Sequence, residues 1–292
     1  MIDPKPTVLL DGLCLVECPR WRDGKLWFSD MVDRCVRTVD LQGRSEVVVR
    51  VDGKPSGLGW LPDGRLLVVS MLERKVLRQE GDRLVVHADL SPFTQWECND
   101  MLTLPNGRSY VGNFGYDLQH GTSQTTVLVK IEPDGRAAAV ADELLFPNGM
   151  VLAPDGRTLL VAETRACRVT AFEMAADGTL SKRRVWAEMD MTTMPDGIAL
   201  DAEGGLWVPS PRGRKIYRVL EGGKILQGGE QTERVTHQVE MSGWTLACGF
   251  GGPTGHDLFV CSADELKADE AARRRSARIE RLRTAVPGIG WR

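Results

Sequence analysis

One short pattern occurs six times in the chain: a turn glycine with a proline or acidic residue close before it and an apolar run after it. The copies are WRDGKLWFSD about Gly24, LPDGRLLVVS about Gly64, LPNGRSYVGN about Gly107, APDGRTLLVAE about Gly156, DAEGGLWVPS about Gly204 and GPTGHDLFVCS about Gly255. Successive glycines stand 40, 43, 49, 48 and 51 residues apart. That period fits a four-stranded propeller blade, and the Val, Leu, Trp and Phe runs alternate with period two, which fits neither helical pairs nor shorter solenoids. The clearest copy is Phe146 to Glu163, where Pro154, Asp155 and Gly156 make a tight turn between two apolar strands. The expectation is an all-β, six-bladed β-propeller of four-stranded antiparallel blades, a single domain over residues 1–292.

The second half of each unit supplies two outer strands. Examples are Cys35 to Asp40 with Ser45 to Val51, Lys75 to Gln79 with Arg83 to His87, and Lys215 to Leu220 with Lys224 to Leu226. The final ARIERLRTAV reads as a strand that Thr7 to Leu10 joins in the same blade. Pairing of the N- and C-terminal strands then closes the ring and removes open sheet edges. Thr94 to Trp96 and Tyr116 to Gln124 read as loops capping one mouth. The charged stretch Ala263 to Arg278 reads as a solvated helix or loop rather than a partner-binding helix.

Composition narrows the function. A net charge of -3, from 37 basic and 40 acidic residues, gives no basic stripe for a phosphate backbone, so nucleic acid is not expected as a partner. There is no run of 18 apolar residues, and MIDPKPTVLL is too short and too proline-broken for a secretory leader. A cytoplasmic protein without membrane contact, monomeric or a small homo-oligomer, is expected. The seven cysteines are scattered without a C-x-x-C pair, and read as buried apolar side chains. The four histidines are isolated, leaving few candidates for the base of a Ser/His/Asp triad.

The polar residues converge instead. Counting back from the turn glycines, Glu17 stands seven residues before Gly24, and Ser56, Asn99, Asn148 and Asp196 each stand eight before theirs. The same count in the sixth unit falls on the apolar Ala247. Taken alone, Asn148 in PNG and Asp196 in PDG read equally well as turn residues bonding their own backbone. Taken with Glu17 and Asn99, they read as a shared site at one mouth of the central channel. Two carboxylates packed with amide oxygens call for a divalent cation. Oxygen donors favour Ca2+, Mg2+ or Mn2+, with Zn2+ and Fe2+ also open.

These residues carry a resemblance that covers nearly the whole chain. Glu17 in VECPRW, Asn99 and Asp100 in CNDM, Asn148 in FPNGM and Asp196 in MPDGI resemble the six-bladed propeller enzymes grouped as senescence marker protein (regucalcin), gluconolactonase and luciferin-regenerating enzyme. The resemblance implies that Glu17, Asn148 and Asp196 bind one divalent metal ion, Ca2+ being the first choice. It implies that Asn99 holds substrate or water, that Asp196 is also the catalytic base, and that the reaction is hydrolysis of a lactone. One departure concerns the substrate. The family has an arginine two residues before the asparagine to grip sugar hydroxyls, and here that position is Glu97, with Met101 in place of a glycine. Trp96, Phe114 and Tyr116, with Met31, Met71, Phe146 and Met194, make the mouth apolar and aromatic. A small lactone or ester other than a typical sugar lactone is therefore expected, with Glu97, Asp100, Asn99, Trp96, Phe114 and Tyr116 lining its site. Two alternatives stay open on the same fold: an arylesterase, organophosphatase or strictosidine-synthase-like enzyme, and a propeller that binds calcium or a ligand without turnover.

Overall fold

In the computed structural model, which describes residues 5–289, the strands form six four-stranded antiparallel sheets. Their innermost strands are Val16–Arg22, Pro55–Trp60, Cys98–Thr103, Pro147–Leu152, Ala199–Leu200 and Trp244–Gly251, and each neighbours the next around a central axle. The expectation of a ring over 1–292 includes residues 1–4 and 290–292, which lie outside the described residues.

Burial explains the two textures of the sequence. The second strands, such as Leu66–Ser70 and Leu206–Ser210, are buried along their whole length because both faces pack on neighbouring blades. The outermost strands are largely open to solvent, as in Ser45–Arg50, so their alternation in the sequence is weak. Ring closure is as expected: Thr7–Leu13 pairs with Ala277–Arg283, Thr7 lying opposite Arg281 and Leu13 opposite Ala277. Across that closure the rings of Trp21 and Phe259 stack with centroids 5.5 Å apart.

Two outer features differ from expectation. The fourth strand of the fifth blade is Val235–Glu240, while Lys224 and Ile225 make only isolated bridges, to Glu188 and Gln231. The intervening chain carries Gly222, Gly228 and Gly229 at positive φ and folds as turns, so a longer connection delays the outer strand. In the stretch 263–278 the helix covers only Ala268–Arg274, since residues on either side complete strands. Of that helix only Ala271 is buried, as a solvated helix requires.

Candidate active site at the axle

Strand register sets one level around the mouth. Val16 lies opposite Asp30, Pro55 opposite Ser70, Cys98 opposite Asn113 and Pro147 opposite Glu163, so the residues that follow, Glu17, Ser56, Asn99 and Asn148, are equivalent. Asp196, in the same Pro-x-Gly setting as Asn148, stands just ahead of the short strand Ala199–Leu200. In the sixth blade Trp244 pairs with Ala263, which puts Thr245 at this level and not Ala247. The strands there are longer, Trp244–Gly251 and Asp257–Ala263, so a count from the turn glycine stops two residues short. Thr245 is fully buried and its Oγ1 donates to the Lys215 carbonyl at 2.8 Å, away from the axle.

The glycines after these residues are there for packing. A Cβ on Gly149 would lie 2.5 Å from the Asp196 carbonyl, and one on Gly57 would lie 2.4 Å from the Met101 amide nitrogen. Neighbouring inner strands approach so closely that no side chain fits between them. What looks like turn composition in PNG and PDG is the contact that brings adjacent blades together at the mouth.

Hydrogen bonds then fix the side chains. Asn148 Nδ2 donates to Asp196 Oδ1 at 2.5 Å and to Thr164 Oγ1 at 3.1 Å, and Thr164 Oγ1 donates to the Pro195 carbonyl at 2.8 Å. Glu17 Oε2 accepts the Cys18 amide at 3.0 Å. Ser29 Oγ donates to the Ser56 carbonyl at 2.6 Å, and Ser56 Oγ to Asn99 Oδ1 at 3.4 Å. Each expected metal ligand thus uses one polar atom within the protein. Among the described residues, no donor reaches Glu17 Oε1, Asn148 Oδ1 or Asp196 Oδ2.

Asp100 is held differently. Its Oδ1 accepts from Arg20 Nη2 at 3.0 Å, from Cys18 Sγ at 3.1 Å and from the Met101 amide at 2.7 Å. Arg20 also donates to the Met101 carbonyl at 3.0 Å, bridging the first blade to the third. The carboxylate expected to meet substrate is thereby anchored through one oxygen, leaving Oδ2 without a donor among the described residues.

The electrostatics follow from three carboxylates in one buried space. Burial, then Asp196 and Asp100, drive Glu17 well above the ordinary carboxylate range, against the Cys18 amide and Arg20. Burial, then Asp100, push Asp196 up to about 8, while the Asn148 amide opposes. Arg20 neutralises one of the three negative charges. Glu17 and Asp196 have no such partner, and once ionised their two charges equal that of one divalent cation.

The donor set fits such an ion: two carboxylates and an amide, each with a bare oxygen, make a hard all-oxygen site. Among the described residues no group of three or more His, Cys, Asp or Glu side chains is placed to hold a metal. The third ligand here is the amide of Asn148, so the set holds only two acids.

The rim residues are placed as follows. Phe114 is buried against Phe146, ring centroids 4.5 Å apart. The Tyr116 hydroxyl accepts from Arg165 Nε, and the Arg165 guanidinium lies 5.6 Å from the tyrosine ring. Trp96 and Glu97 are half-buried on the segment before Asn99. All seven cysteines are free and buried. Arg20, Cys18, Thr164, Asp30 and Glu163 were not singled out from the sequence. Asp30 and Glu163 are fully buried at the ends of second strands, where they accept the amides of Leu15 and Leu145 and so fix the entry to the inner strands. The arginine in VECPRW was the one available signal, a charge placed just after the four buried residues that open this inner strand.

A cavity of about 590 Å3 lies at the other end of the channel, lined by Trp21, Trp60, Leu102, Leu152 and Phe250. None of Glu17, Asn148 and Asp196 lines it. Arg20 does, and the same guanidinium holds Asp100.

An axial cluster of acids and amides, open at one mouth of a six-bladed ring, defines the class of propellers that carry a polar site on the axle. Within it, a family model described as "SMP-30/Gluconolactonase/LRE-like region" matches residues 15–264, and the chain belongs to that family. It is 26% identical over 261 residues to regucalcin of Danio rerio, covering 85% of this chain and 82% of that one. It is 23% identical over 263 residues to 6-deoxy-6-sulfogluconolactonase of Pseudomonas putida, covering 88% and 86%. A solved luciferin-regenerating enzyme superposes with a TM-score of 0.79 at 21% identity, over 98% of each chain, which is a likeness of fold.

Proposed function

We propose that the chain is a divalent-cation-dependent lactonase that opens a small lactone, poorer in hydroxyl groups than a sugar lactone, to its hydroxy acid. The observation that carries this reading is the approach of Glu17, Asn148 and Asp196 from three blades, each with one oxygen free of protein donors: Asn148 bonds Asp196, and Asp196 together with Asp100 raises the proton affinity of Glu17. It agrees with the lactonase named among the family relatives.

Held by Glu17, Asn148 and Asp196, the cation, Ca2+ being the first choice, would supply Lewis-acid polarisation of the lactone carbonyl, an effect worth several kcal/mol. Asp196 takes a proton from the water that adds to the carbonyl carbon. The acyl–oxygen bond of the ring then breaks, and the proton returns to the leaving alkoxide to give the hydroxy acid. General-base assistance of this kind contributes roughly 10²- to 10⁴-fold. Asn99 orients the reactants: its Oδ1 is turned to Ser56, which leaves the amide hydrogens to donate to a substrate oxygen. Phe114, Phe146 and Met194 exclude water from the rim. Seven free thiols suit a reducing, cytoplasmic compartment.

The test is a panel of lactones assayed before and after EDTA treatment, with single divalent metals added back. Turnover abolished by chelation and restored by one metal supports the reading. Ester turnover that survives exhaustive chelation, or metal binding without any turnover, overturns it.

A further inference from the structure

Three strings of the same form, Lys54-Pro55-Ser56-Gly57, Phe146-Pro147-Asn148-Gly149 and Met194-Pro195-Asp196-Gly197, enter the second, fourth and fifth blades. The first residue of each has positive φ, 69° for Lys54, 58° for Phe146 and 40° for Met194. Non-glycine residues rarely adopt that conformation, and here it recurs at the same point of three blades. Backbone hydrogen bonds identify the position in other blades. The carbonyls of Leu15, Lys54, Glu97 and Phe146 accept the amides of Met31, Met71, Phe114 and Thr164 at 2.8, 2.9, 3.0 and 3.1 Å, each donor lying just past a second strand.

Leu15, Lys54, Glu97, Phe146 and Met194 therefore form a ring of equivalent positions, two residues before Glu17, Ser56, Asn99, Asn148 and Asp196. Leu15, Phe146 and Met194 are apolar and buried. The two charged members, Lys54 and Glu97, come from adjacent blades. Lys54 is half-buried, and among the described residues no carboxylate comes within ion-pairing distance of it and no acceptor takes its Nζ hydrogens. Burial pulls its pKa below the ordinary lysine value, with Glu97 opposing. An ammonium partly withdrawn from water, acted on by the Glu97 charge but forming no direct ion pair, is costly, and an anion brought by a ligand lowers the cost.

We infer that Lys54 is a specificity residue of this mouth, its ammonium receiving an anionic substituent carried on an otherwise apolar lactone. The inference rests on the lactonase reading. Glu97, where the family carries arginine, repels an anion from the third blade and so directs it to the second. The grip has moved by one blade and kept its sign.

The test compares two lactones differing in one group, γ-carboxy-γ-butyrolactone and γ-valerolactone, in wild type, Lys54→Met, Lys54→Arg and Glu97→Gln. Wild type is expected to favour the carboxylate compound through KM. The kcat/KM ratio between the two should fall about tenfold in Lys54→Met and recover in Lys54→Arg. It should rise in Glu97→Gln. A ratio unchanged in Lys54→Met, or a loss shared equally by both lactones, overturns the inference. Calorimetry with the ring-opened acids, 2-hydroxyglutarate against 4-hydroxypentanoate, reads the same discrimination without turnover. If no lactone is hydrolysed, the lactonase reading fails, and loss or retention of that binding preference in Lys54→Met still decides the role of Lys54.

Discussion

Asn148 Nδ2 donates to Asp196 Oδ1 across a sequence separation of 48 residues, joining the mouths of the fourth and fifth blades. The bond aligns two expected ligands, and it consumes the amide's donor side. What remains facing the axle is the amide oxygen of one residue and a carboxylate oxygen of the other.

Replacing Asp196 with alanine removes the proposed base and one of three ligands. Turnover should fall at least 10²- to 10⁴-fold, and divalent-cation affinity should weaken. The fold should persist, because the carboxylate lies at the open end of the channel. Steady-state kinetics, metal titration and circular dichroism together check this, and near-wild-type turnover would dismiss Asp196 as the base.

The raised pKa of Asp196 makes metal-free stability pH-dependent with a definite sign. The folded group binds its proton up to about 8, against an ordinary value of 3.8. Folded protein therefore holds more protons than unfolded chain across that interval, so this contribution is full below about pH 4 and is lost as pH rises towards 8. Cation binding needs the carboxylate, so cation affinity should climb over the same interval with proton release. Thermal melts of metal-free protein from pH 4 to 8, and calorimetry in two buffers of different ionisation enthalpy, measure both. Stability that rises over the interval, or binding without proton release, would count against the assignment.

Arg20 is the resident counter-ion of Asp100, whose side chain is 4% exposed while that of Arg20 is 25% exposed. Arg20→Met should lower the stability of the metal-free protein by about 2 kcal/mol, a breakage cost reduced by the partial exposure of the arginine. It should also tighten divalent-cation binding, since one positive charge has left the axle. Denaturant titration with and without cation tests this; a variant that loses cation affinity while staying folded would refute the charge balance.

Thr164 ties Asn148 to the Pro195 carbonyl through a single hydroxyl. Thr164→Val leaves that carbonyl without its donor and frees the amide to turn, costing about 1–3 kcal/mol of stability and weakening cation binding. Thr164→Ser should retain both. The paired melts and metal titrations of these two variants separate the hydroxyl from the methyl group.

The ring was legible in the chain because turn chemistry and period-two burial are local properties. Asp-Gly turns such as that at Gly156 need positive φ, and a second strand such as Leu66–Ser70, buried on both faces, must be apolar throughout. The positions of Glu17, Asn99, Asn148 and Asp196 followed, since each sits at a set distance from a turn glycine. That count failed at Ala247, where longer strands put Thr245 at the level of the mouth, and a strand's length depends on what it pairs with.

Sequence alone determined six blades, their closure and the oxygen-bearing residues that enter five of them, because these depend on spacing within one hairpin. Tertiary structure decided which side-chain atoms stay free. The Asn148–Asp196 bond, the capture of Asp100 by Arg20 and the shared level of Lys54 and Glu97 each join residues from different blades. Such relations exist only once the ring has closed and neighbouring inner strands have come within reach of one another.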